Sequence, residues 1–285
     1  MATATATRST PGTGHNVKKP TVFIDGEAGT TGLEIRNRLA KLDTVEVKSI
    51  AAEKRKDPKA RQELMEAVDL VILCLPDDAA KEAVSLADGL GSKGPRIVDA
   101  STAHRVAPGW VYGFPEMTRG QAGAVAMARR VTNPGCYPTG AIALVRPLVE
   151  AGLMAADHPV TVNAVSGFSG GGKSMIEAYA AGTAPSFEVY GLGLEHKHVP
   201  ELQMYSKLTR RPIFVPSVGN FRQGMIVSVP LHLDMLPGKP KGADLEAALK
   251  AHYAGSTLVK VVPANDGSAK GGRLPAETLN GTDML

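Results

Sequence analysis

A chain of 285 residues, 43% of them hydrophobic, carries enough apolar side chains for one large or two ordinary globular cores. Its formal charge of +4 is dispersed, with Lys54-Arg55-Lys56 as the one short basic run of note, which argues against a nucleic-acid partner. No stretch approaches the roughly eighteen apolar residues of a membrane span, the N-terminus has no apolar signal core, and two cysteines make neither a disulfide framework nor a Cys-based metal site, so a water-soluble cytoplasmic protein is expected.

Residues 1–19 are rich in Thr, Ala, Gly and Lys without hydrophobic periodicity, which predicts a disordered leader. Order is expected from Thr21-Val22-Phe23-Ile24-Asp25, an apolar strand running into the turn Gly26-Glu27-Ala28-Gly29-Thr30-Thr31-Gly32 and the helical pattern Leu33, Ile35, Leu39, Leu42. Further strands are predicted over 45–50, 68–75 and 96–100, with helices over 58–66 and 78–88 between them. Alternation of this kind gives a parallel sheet. The apolar run 68–75 reads as a central strand covered on both faces, with Cys74 in the core.

In that frame the backbone of Gly26, Gly29, Thr30, Thr31 and Gly32 is a candidate cradle for a dinucleotide pyrophosphate at a helix N-terminus. The spacing is Gly-x-x-Gly-x-x-Gly, a departure from the usual Gly-x-Gly-x-x-Gly, and a purely structural turn would look the same. After the second strand, Ser49, Arg55 and Lys56 offer hydroxyl and cationic partners to a 2′-phosphate, which favours NADP; Glu53 keeps NAD open.

Cys136 stands in Asn133-Pro134-Gly135-Cys136-Tyr137-Pro138, a tight polar turn followed by an apolar helical run. Pro138 suits the first turn of that helix, so Cys136 is expected at its entrance. Free amides and the helix dipole there can lower a thiol pKa from about 8.5 to roughly 3.5–7.5, making a nucleophile for acyl carbons. A small core cysteine is the competing reading.

Downstream, a strand over 160–165 leads into Ser166-Gly167-Phe168-Ser169-Gly170-Gly171-Gly172-Lys173, small residues and a lysine that suit an anionic group. Glu195-His196-Lys197-His198-Val199-Pro200-Glu201 sets two imidazoles beside a carboxylate, suited to proton transfer. His-x-His is also a metal-ligand spacing, but no third ligand stands near it, and no metal is expected. Strands over 212–216 and 224–231 and a helix over 244–253 complete an α+β half.

The strings Gly26–Gly32, Asp99-Ala100-Ser101-Thr102-Ala103-His104-Arg105, Trp110–Glu116, Asn133–Thr139, Ser166–Lys173 and His196–Glu201 together resemble N-acetyl-gamma-glutamyl-phosphate reductase of the shorter, type 2 group, over residues 21 to about 235. The resemblance implies an α/β fold, with a Rossmann-type dinucleotide-binding domain over 20–135. It also implies an α+β catalytic and oligomerisation domain of the glyceraldehyde-phosphate and aspartate-semialdehyde dehydrogenase kind over 136–285. It further implies NADPH-dependent reduction of an acyl phosphate through a cysteine thioester, in a homo-oligomer, dimer or tetramer. Cys136 is then the nucleophile and His196 the proton-transfer group, with His198 as substrate contact or the base in its place. Asn133, Arg105, Ser166, Lys173 and Glu201 are candidate substrate-binding groups. Family members continue with a further strand and helix returning to the nucleotide domain, so a truncated form with impaired cofactor affinity or activity is expected. Aspartate-semialdehyde dehydrogenase and a non-catalytic dinucleotide-binding protein are the rival readings.

Overall fold

The computed structural model describes residues 18–263 and 272–285. The leader expected over 1–19 lies, apart from its last two residues, outside them.

The first half is a six-stranded, all-parallel sheet. Its elements are β1 (Thr21–Asp25), α1 (Thr30–Leu39), β2 (Glu46–Lys48), α2 (Pro58–Glu66), β3 (Leu70–Leu73), α3 (Asp77–Asp88), β4 (Arg96–Asp99), β5 (Val111–Tyr112), α4 (Gln121–Met127) and β6 (Arg130–Thr132), with strand order β2-β1-β3-β4-β6-β5. Phe23, Val71, Leu73 and Ile97 meet Met65, Ala80 and Ala83 from α2 and α3 in one core. The four predicted strands are present, three of them shorter than expected. β3 alternates half-buried and buried residues rather than being closed on both faces. Cys74 is a correction: it is half-buried, because it lies just past the end of β3 in the loop that borders the sheet's crevice.

The second half holds α5 (Cys136–Glu150), β7 (Thr161–Gly167), α6 (Lys173–Ala180), β8 (Phe187–Val189), α7 (Val199–Tyr205), β9 (Ile213–Gly219), β10 (Met225–Ser228) and α8 (Gly242–His252). Its sheet order is β10-β7-β9-β8, with β7 and β9 parallel and the edge strands antiparallel to them. Register places Val162, Ala164, Phe214 and Val227 on one face, against α5 and its core of Tyr137, Ala141, Val145 and Leu202. On the other face Phe187, Val189 and Ile213 are exposed.

Residues 272–285 close over the turn before β10, where Met225 N–H donates to Ala276 O at 3.0 Å and Asn280 Nδ2 to Gln223 O at 3.0 Å. Asp283 then pairs with Arg38 of α1 at 2.7 Å, so the last described residues do contact the nucleotide-binding half.

Between β1 and α1, Gly26 has φ +92°, and a Cβ there would overlap the Cys74 carbonyl; one on Gly32 would overlap the Gly26 carbonyl. Both glycines are required by close backbone approach. Gly26→Ala is expected to cost at least about 2 kcal/mol, from strain plus overlap, read as a lower urea midpoint with unchanged slope.

Candidate active site

β6 ends at Thr132 and delivers the chain directly into the cysteine turn. Asn133 N–H donates to Asp99 O at 2.7 Å, and Asn133 O accepts from Arg105 Nε at 3.1 Å. Gly135 N–H donates to Glu201 Oε2 at 3.0 Å. A Cβ on Gly135 would sit 2.5 Å from Glu201 Oε1, 2.7 Å from Arg105 Nη1 and 2.9 Å from His198 Cδ2, so only glycine fits between these three groups. Cys136 follows as the first residue of α5, open to the cleft, with Pro138 in the first turn as the sequence predicts.

The thiol does not behave as its helix position alone suggests. The surrounding cleft walls push its pKa up, outweighing the backbone N–H groups of Tyr137 and Cys136 and the positive charge of Arg105, which pull it down. Partial desolvation of a thiolate outweighs the dipole here. The expected lowering is therefore corrected: the net shift is upward.

Glu201 is the best-connected side chain of the site. It is 1% exposed and accepts from Arg105 Nη1 at 2.6 Å, Tyr112 OH at 2.7 Å and Gly135 N–H. Burial nonetheless pushes its carboxyl pKa up against the pull of Arg105. Arg105 also donates through Nη2 to Ala100 O at 3.2 Å, while its own carbonyl accepts from Tyr205 OH at 2.7 Å. Tyr205 stacks on Tyr112 at 3.7 Å. Most of the Arg105 and Glu201 hydrogen-bonding capacity is spent on the protein itself.

The two histidines differ in environment. His196, half-buried just before α7, is edged by Phe214, His198 and Tyr190 at ring separations of 5.2, 4.6 and 5.8 Å. Its Nδ1 accepts from the His198 backbone N–H at 3.2 Å, so the neutral ring carries its proton on Nε2. Burial and Lys197 lower its pKa. His198 caps α7, is 7% exposed, and its Nδ1 is buried without a partner. Burial first, then His196, Arg105 and Lys197, push its pKa down to about 3.

Beside them, Tyr137 OH lies 2.8 Å from Ser166 Oγ and donates to Ser217 O at 2.8 Å. Lys173 opens α6, exposed, 3.7 Å from Glu177 of the same helix. The Ser166–Lys173 turn is held by Phe168 N–H on Phe221 O (2.9 Å) and Ser169 N–H on Arg222 O (3.1 Å), and Arg222 is exposed. Among the described residues no three His, Cys, Asp or Glu side chains converge as a metal site.

On the nucleotide side, α1 starts after Gly29 with no side-chain cap and no acidic residue in its first turn. Gly29 N–H donates to Gly26 O at 3.0 Å, closing the turn beneath it. An uncapped helix start beside glycines that leave no room for Cβ atoms fits a dinucleotide pyrophosphate on the N–H groups of Thr30, Thr31 and Gly32. Ser49 and Arg55 both bind the buried Glu27 carboxylate, Ser49 Oγ at 2.8 Å and Arg55 Nη2 at 3.1 Å. At the end of β4, Asp99 accepts from Ser101 Oγ at 2.7 Å and binds His104 Nδ1 at 2.6 Å, and His104 stacks on Trp110 at 4.3 Å. The sequence reading did not single out Glu27, Tyr112, Tyr190 or Arg222. For Glu27 the signal was available, as a carboxylate inside a glycine turn; the other three stand in stretches whose pairing is non-local.

Glu201→Ala is expected to lower the unfolding free energy by about 3–5 kcal/mol, because Arg105 is left buried and unpaired. An Arg105→Met/Glu201→Leu double variant should recover part of that in urea titration. His198 binds its proton less readily folded (pKa about 3) than unfolded (about 6.5), so the unfolded state takes up more protons in that window. Stability is therefore lost as pH falls from about 6.5 towards 3, and His198→Asn should flatten that slope by up to one proton, measured by urea unfolding across pH.

The family described as semialdehyde dehydrogenase, NAD binding domain, matches residues 21–124, and the semialdehyde dehydrogenase dimerisation domain matches residues 136–276. N-acetyl-gamma-glutamyl-phosphate reductases of Brucella suis and Brucella ovis are each 57% identical to the chain over 272 residues, 94% of this chain and 87% of theirs. Aspartate semialdehyde dehydrogenase of Francisella tularensis has a similar structure, with TM-score 0.65 at 12% identity over 93% of this chain and 88% of that one. The Candida albicans enzyme with NADP gives TM-score 0.56 at 14% identity over 82% and 76%. At these identities the two structures speak for the fold alone. With both halves matched in order and relatives alike along nearly the whole length, the chain belongs to the N-acetyl-gamma-glutamyl-phosphate reductase family of the semialdehyde dehydrogenases.

Proposed function

We propose that this chain reduces N-acetyl-gamma-glutamyl phosphate to N-acetylglutamate semialdehyde with release of phosphate, using NADPH, as a step of arginine biosynthesis in the cytoplasm. The observation that carries the reading is Cys136 itself: an exposed thiol at the start of α5, on a turn that Glu201 and Arg105 fix from beneath.

Cys136 Sγ attacks the acyl carbon; the C–S bond forms as the C–O bond to phosphate breaks, and the thiol's proton leaves on the phosphate. A strongly activated acyl donor suits a nucleophile that starts protonated. When bound, NADPH supplies the hydride that reduces the thioester carbon. The C–S bond then breaks to free the aldehyde, and the thiolate takes up a proton. His196, with its proton on Nε2, donates a hydrogen bond from that nitrogen to the acyl oxygen as charge grows there and keeps the proton. His198, buried, braces that ring and is the lesser candidate for this role.

Arg105 and Glu201 act as positioning residues rather than as substrate anchors, since their hydrogen bonds run to the protein. Lys173 and Arg222 are the exposed cations for the substrate's anionic ends, with Asn133 and Ser166 as nearer polar contacts. The grouping of Arg36, Arg55 and Ser49 around Glu27, after β2 and on α1, supports NADP over NAD. The division near residue 135 separates cofactor from substrate functions. Exposed Phe187, Val189 and Ile213 on one sheet face fit a contact with a second copy of this chain, in keeping with a dimerisation domain.

The test is reduction of NADP by N-acetylglutamate semialdehyde in the presence of phosphate, followed by absorbance. Turnover should depend on phosphate, prefer the acetylated aldehyde over aspartate semialdehyde, and fall at least about a thousandfold in Cys136→Ser. Preference for aspartate semialdehyde would favour the sister activity. NADP binding without turnover on either aldehyde would favour the non-catalytic reading.

A further inference from the structure

The Glu27 carboxylate is 3% exposed, yet it belongs to the glycine turn that borders the cofactor crevice. Three donors converge on it: Arg36 Nη1 from α1 at 3.1 Å and Ser49 Oγ at 2.8 Å on Oε2, and Arg55 Nη2 at 3.1 Å on Oε1. Arg36 and Arg55 remain 47% and 40% exposed. Each spends one N–H on Glu27 and turns the rest of its guanidinium outward.

Two guanidiniums brought side by side repel each other, and on long side chains they scatter. A shared carboxylate reverses the first effect and suppresses the second. An acid that selects NAD must offer free oxygens to the ribose hydroxyls. Glu27 does the opposite: its oxygens are filled by donors of the protein, and the exposed groups around it are the two guanidiniums.

We infer that Glu27 is a positioning residue for cofactor selection, a buried carboxylate that holds Arg36 and Arg55 together as the clamp for the 2′-phosphate of NADPH. Arg36 joins Ser49 and Arg55 as a ligand of that phosphate. The inference rests on the NADP reading above and adds to it the residue that builds the site.

The test is equilibrium binding of NADPH and NADH by cofactor fluorescence, with 2′,5′-ADP and 5′-AMP as competitors that differ only in the 2′-phosphate. Arg36→Gln, a change at an exposed side chain that leaves the fold intact, should weaken NADPH and 2′,5′-ADP about 10–100-fold, the worth of a charge-assisted hydrogen-bonded pair, and leave NADH and 5′-AMP unchanged. Glu27→Gln should weaken NADPH and 2′,5′-ADP by about tenfold, again without touching NADH. Tighter NADPH binding in Glu27→Gln would overturn the inference, because the carboxylate would then be a competitor of the phosphate. Equal weakening of both cofactors would also overturn it, reducing Glu27 to a brace of the turn. A wild-type chain that prefers NADPH while Arg36→Gln keeps that preference sinks the inference alone; a wild-type chain with no preference sinks the NADP reading as well.

Discussion

One buried carboxylate holds the catalytic geometry together. Glu201 belongs to α7 in the second half of the chain, while two of its donors come from the first, Arg105 from a loop and Tyr112 from β5, and the third is the amide just before Cys136. Cys136 therefore cannot shift without disturbing a bond that also links the two halves. Such a pair adds little net stability, since the cost of desolvating both charges offsets most of their attraction. Its effect is on position, because removing either partner strands the other in a place with no water to receive it.

The location of Cys136 follows from the topology rather than from any local preference. Strands of a parallel sheet all end at one edge, so the ends of β1, β3, β4 and β6 line a single crevice. The glycine turn follows β1 and the cysteine turn follows β6. Strand order alone thus sets the glycine turn and the thiol along one groove. The second sheet contributes what the first lacks: Phe214 and Tyr190 wall in His196, and Ser217 holds Tyr137 next to the cysteine.

Local patterns were legible in the sequence, and long-range pairings were not. The first strand, its glycine turn, α2 and the helix behind Cys136 carry period and punctuation in their own residues, and they fall where the pattern puts them. β5 and β8, two and three residues long, exist through their neighbours and leave no period to read. From its own stretch of sequence Arg105 is a candidate partner for an anionic substrate group. Only the fold brings Glu201, 96 residues away, to occupy it. The thiol's acidity was misjudged for a related reason, since helix position is local while desolvation is set by everything that folds around it.

The partial desolvation that raises the thiol's pKa also suits the thioester proposed above. A thiolate is penalised where cleft walls strip part of its solvation, and an uncharged thioester is not, so the environment favours the acylated state relative to the free anion. A more acidic cysteine would attack sooner but would be a weaker nucleophile once ionised and a better leaving group to water. The raised pKa of Cys136 and the lowered pKa values of the histidines beside it therefore share one leading cause, desolvation that penalises whichever form carries charge.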